Sequence, residues 1–96
     1  MSPLKRKKLN KIRTELDKLD NSLIMIIKKR TNLVKKVLEL KDKKNQIIDS
    51  KRIKIILKNI RKKSIANKID PKITNRIWKN MIWSYIDYEK RNFKKK

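Results

Sequence analysis

The 96 residues include no glycine and only two prolines. Tight hairpin turns need positive φ, which glycine adopts without a Cβ clash, so this composition argues against a sheet protein and against any Gly-rich phosphate loop. The fold class it leaves is all-α. A chain of this length is expected to form one domain, residues 1–96. It buries only about two thirds of its unfolded surface, so a stable form is expected to recruit a partner.

The apolar pattern agrees with helices. Leu9, Ile12, Leu16, Leu19, Leu23 and Ile26, then Arg30, Leu33, Val37 and Leu40, alternate steps of three and four, the signature of one helical face. No breaker interrupts this helix from about Leu4 to about Lys41, which at roughly 1.5 Å per residue makes it over 50 Å long. Two further helices are too short to cover it. An intertwined homodimeric bundle of three-helix chains is therefore expected, with much of the row facing a second copy.

A polar connection, Asp42 to Ile48, follows. Asp49 or Ser50 then caps a second helix with Ile53, Ile56, Leu57 and Ile60 on one face, fading near Asn67. Asp70-Pro71 pairs a capping side chain with proline at the first helical position. It starts a third helix bearing Ile73, Ile77, Trp78, Met81, Ile82, Tyr85 and Tyr88. Residues 1–4 and 94–96 are expected to fray.

Thirty-one Lys and Arg against nine Asp and Glu give a formal charge of +22. Such a balance raises a basic helical nucleic-acid-binding module as one reading. Lysine is nevertheless spread along every segment, and a composition rich in Lys, Ile and Asn is what AT-rich coding produces, so the charge carries little information. No helix-turn-helix with a tight turn, aromatic-bearing sheet or zinc site accompanies it, and no specific nucleic acid is expected. The start MSPLKRKK lacks an apolar stretch with a cleavage site, and no run is long enough to span a bilayer, so a cytoplasmic protein without membrane attachment is expected.

With neither Cys nor His, zinc sites, disulfides, thiol nucleophiles and the commonest general base are excluded. Arginine is the informative cation here, because its planar fork binds carboxylates bidentately. Arg30 interrupts the apolar row, where a guanidinium either snorkels to solvent, pairs with an acid on a neighbouring helix or meets an anionic ligand. Lys41, eleven residues on, points in nearly the same direction. Arg13 lies beside the row near its other end, out of reach of Arg30 on the same helix but available from a second, antiparallel copy. On the third helix Glu89 continues the direction of Trp78, Ile82 and Tyr85. A carboxyl on an apolar stripe tends to keep its proton and donate a hydrogen bond. A salt bridge to one of the many lysines is the other reading.

Leu9-Asn-Lys-Ile-Arg13, Leu19-Asp20, Lys29-Arg30, Leu33-Val34, Lys41, Asp49, Arg52 and Glu89, taken in this order and spacing, resemble the all-helical chorismate mutases from Leu9 to Glu89. The resemblance implies an intertwined dimer with two equivalent sites and neither cofactor nor metal. Arg30, with Arg13 from the partner chain, would hold the two carboxylates of chorismate. Lys41 and Glu89 would hydrogen-bond the ether oxygen whose bond to carbon breaks, and Asp49 and Arg52 would lie near the ring hydroxyl. Many relatives carry Gln at the Glu89 position and some carry Glu.

Two positions depart from that pattern. Ile53 follows Arg52 where chorismate mutases commonly carry a Glu for the ring hydroxyl. The small hydroxyl residue near the end of the site aligns with Tyr85, and Ser84 lies one place earlier. Ile53 and Tyr85-Ile86 are similar to a sister branch, the isochorismate pyruvate lyases of salicylate formation, which keeps the same clamp. Rearrangement of chorismate to prephenate, in phenylalanine and tyrosine biosynthesis, is the expected activity. Isochorismate cleavage is the alternative.

Overall fold

The computed structural model describes residues 1–94, which fold as α1 (Pro3–Leu40), a 3-10 turn (Lys44–Gln46), α2 (Ser50–Ala66) and α3 (Pro71–Asn92). Among the described residues there is no strand. Part of the stretch expected to fray at the carboxyl end, Lys95 and Lys96, lies outside the described residues. Residues 3 and 4 stand in the first turn of α1. Ser2 caps that turn, its Oγ accepting from the Lys5 amide at 3.2 Å and its carbonyl from the Arg6 amide at 2.9 Å. No helix among the described residues is long and apolar enough to cross a membrane.

The chain divides into two units, Met1–Leu33 and Val34–Lys96. The first is one helical stretch, and a single helix has no core of its own. Its predicted apolar row is present and bare: Ile12, Leu16, Leu19, Leu23, Ile26 and Leu33 are each 52% exposed or more.

The second unit holds the end of α1, the 3-10 turn, α2 and α3, with α2 and α3 packed together. Both helices start where capping chemistry places them. Asp49 accepts from the Arg52 amide at 3.0 Å, and Asp70 accepts from the Lys72 amide at 2.9 Å with Pro71 next in sequence. Ile53, Ile56, Leu57 and Ile60 of α2 are half-buried, as are Trp78, Met81, Ile82 and Tyr85 of α3. Ile86 and Ile47 are buried.

Ile73 and Ile77, at the start of the α3 stripe, are exposed. In α1 the half-buried positions of this unit are Val34 and Leu38, whereas Val37 and Leu40 of the predicted row are exposed. The apolar surface of α1 is thus broader than one row, and its inward edge here lies beside the row read from the sequence.

Ser64, 2% exposed, pins the two packed helices near their connection. Its Oγ donates to the Ile60 carbonyl at 2.6 Å and lies 2.6 Å from Thr74 Oγ1. The connection itself turns without glycine. Lys68 takes φ 57°, its amide donating to the Ile65 carbonyl at 3.1 Å while that of Ile69 donates to the Ser64 carbonyl at 2.9 Å. This is a Schellman closure, whose left-handed position usually falls to glycine because a Cβ there costs about 1 kcal/mol or more.

Candidate active site

Lys41 is the first residue beyond α1, its amide donating to the Leu38 carbonyl at 3.1 Å. From there its ammonium reaches α3. Nζ donates to Glu89 Oε1 at 3.0 Å and to the Ile47 carbonyl at 3.3 Å. The Glu89 side chain is 7% exposed and that of Lys41 18%. Glu89 is carried inward on the same side of α3 as Trp78, Ile82 and Tyr85, and a charge held there requires an opposite charge and hydrogen bonds. Of the two readings of Glu89, the structure shows the salt bridge, and the lysine is Lys41.

Beside this pair the second unit has an open hollow of about 590 Å³, lined by Lys41, Gln46, Asp49, Ser50 and Lys51 among others. Lys41 and Asp49 are the predicted site residues on it. Asp49 is also the α2 cap, and Arg52, whose amide that cap holds, has an exposed side chain. Ile53 and Tyr85 are half-buried. Ser84 is exposed, and its hydroxyl donates to the Asn80 carbonyl of its own helix at 2.7 Å, which ties it to α3.

The two arginines expected to clamp carboxylates belong to the first unit, and both are exposed. Arg13 borders a hollow of about 290 Å³ with Arg6, Leu9 and Asn10. Among the described residues no acid pairs with Arg13 or Arg30. Arg30 is exposed, which leaves its guanidinium solvated.

The family model described as chorismate mutase type II matches residues 12–90, a span that includes every site residue named above. The chain belongs to that family. No curated protein and no solved structure gives a significant match. In this chorismate mutase family member the second unit sets an ammonium against a carboxyl group on a buried helix face. An ammonium has three N–H donors. Glu89 and Ile47 each take one, and the third remains for an acceptor oxygen brought alongside.

Two residues of this arrangement escape sequence reasoning, Ile47 and Gln46. Ile47 lies in a stretch that reads as a polar connection, yet it is 3% exposed and its carbonyl holds Lys41. The one available signal is the apolar pair Ile47-Ile48 in an otherwise polar run.

Proposed function

We propose that this chain rearranges chorismate to prephenate, on the route to phenylalanine and tyrosine. The observation that carries the reading is the largely buried Lys41–Glu89 pair at 3.0 Å, in a chain whose family match spans both residues. The reaction is internal to one molecule, without proton transfer or covalent intermediate, so a site lacking Cys and His is no handicap. It needs a folded substrate conformer and positive potential where negative charge grows on the ether oxygen. In this reading Arg13 and Arg30 grip the two carboxylates, and the free N–H of Lys41, oriented by Glu89, meets the ether oxygen. Asp49, Arg52, Ser84 and Tyr85 border the substrate, and Ile53 replaces the common glutamate near the ring hydroxyl.

Two copies intertwine as one domain each and work in the cytoplasm without a cofactor. The bare row from Ile12 to Leu33 supports the pairing of copies, since burying half-exposed Leu or Ile side chains contributes on the order of 1 kcal/mol each. Arg13 then enters the partner's site. The test is to incubate the purified chain with chorismate and, separately, with isochorismate, following prephenate and pyruvate. Prephenate from chorismate is expected. Pyruvate from isochorismate alone would transfer the assignment to the lyase reaction, and turnover of neither would reject both. Mixed dimers of Arg13→Ala and Arg30→Ala chains should regain one working site, and no recovery in folded heterodimers would rule out crossing.

A further inference from the structure

Lys41 lies outside α1, in the segment that joins α1 to α2 without glycine, and a side chain closes that segment. Gln46 Oε1 accepts from the backbone amides of Asp42 at 2.7 Å and Lys43 at 2.9 Å. The amide of Gln46 donates to the Lys43 carbonyl at 3.0 Å and that of Ile47 to the Lys44 carbonyl at 3.2 Å. One amide oxygen therefore clips the two residues after Lys41 to the turn before Ile47. That turn delivers Ile47 into the core, and the Ile47 carbonyl is, with Glu89, what holds the Lys41 ammonium. Every residue from 41 to 49 keeps negative φ, since Lys68 alone among the described residues has positive φ. The segment therefore depends on side-chain closure where a glycine would ordinarily serve.

We infer that Gln46 is a positioning residue, which fixes the Lys41 ammonium against Glu89 by clipping the Asp42 and Lys43 amides and so placing the Ile47 carbonyl. The inference that this matters for turnover rests on the chorismate mutase reading. Gln46 is exposed, so its loss should leave the helices folded and act on geometry. In Gln46→Ala, kcat should fall about tenfold with KM little changed, within the range that small misplacements of a catalytic group produce. Gln46→Glu keeps an acceptor for both amides and should recover most of that rate.

A second readout does not involve substrate. The coupling between Lys41 and Glu89, taken from urea midpoints of Lys41→Met, Glu89→Leu and the double variant, should be present with Gln46 and largely lost in the Q46A background. Q46A with native kcat and undiminished coupling would overturn the inference, as would a Q46E variant no better than Q46A in both measurements. If the native chain turns over neither substrate, the catalytic reading fails while the coupling cycle still decides whether Gln46 places Lys41.

Discussion

Replacing Lys41 by methionine removes the ammonium and leaves a chain of similar reach beside Glu89. The carboxyl that remains is 7% exposed and has lost a donor at 3.0 Å. Breaking a fully buried pair by removing one partner costs roughly 3–5 kcal/mol, whereas an exposed pair is worth about 0–1. Lys41 retains 18% exposure, which admits some water and places the expected loss at about 2–3 kcal/mol. With a urea slope of about 1–2 kcal/mol per molar for a chain of this size, the midpoint should drop by roughly 1–3 M.

The control is the double variant Lys41→Met with Glu89→Leu, in which neither charge is left to solvate. An apolar pair of similar volume is often neutral or better. The double variant should therefore regain most of the lost midpoint. The assay is urea unfolding followed by far-ultraviolet circular dichroism at one fixed chain concentration, because any association makes the midpoint concentration-dependent. If Lys41→Met unfolds with the native midpoint, or the double variant is as weak as the single, the pair does not carry the stability argued for it.

A side-chain amide at position 89 can accept from the Lys41 ammonium and also donate to the ether oxygen. Glu89→Gln should therefore stay active on chorismate, and a folded Gln variant without turnover would remove the proposed role. Ser64→Ala removes a buried hydroxyl bonded at 2.6 Å to both the Ile60 carbonyl and Thr74, which should cost about 1–2 kcal/mol in thermal or urea unfolding. Lys68→Gly relieves the Cβ at φ 57°. Against the added freedom of the unfolded chain it should still stabilise by about 0.5 kcal/mol, seen as a higher urea midpoint.

The helices were legible because their boundaries are local chemistry. Asp49 and the Asp70-Pro71 pair announce helix starts whatever the chain packs against, and the observed caps fall on those residues. The side that α1 presents was less legible. Its apolar surface is wide enough for two overlapping rows, and only tertiary packing selects Val34 and Leu38 over Val37 and Leu40 in the second unit. Glu89 stood out as a charge on an apolar stripe and Lys41 through sharing the direction of Arg30, but their mutual pairing depends on where α3 returns. The part played by Ile47 and Gln46 was hidden for a further reason. It consists of side-chain and carbonyl bonds to nearby backbone, set by the path of a short loop, and no residue periodicity encodes such a path.

The bare row of α1 also gives the chain's extreme charge a purpose that ligand recognition does not supply. A strip of half-exposed Leu and Ile is an aggregation hazard, and charges placed around such a strip act as gatekeepers against indiscriminate sticking. Lys11, Lys18, Lys28, Lys29, Lys35 and Lys36 are interspersed along this same helix, and a formal charge of +22 makes any two copies repel until a well-matched contact outweighs the repulsion. Such a barrier is only as long-ranged as the ionic atmosphere allows, about 8 Å at physiological ionic strength and about 3 Å at 1 M. Concentrated salt therefore strips the gatekeepers of their reach while leaving the apolar row as adhesive as before, and colloidal stability in this protein should decline as salt rises.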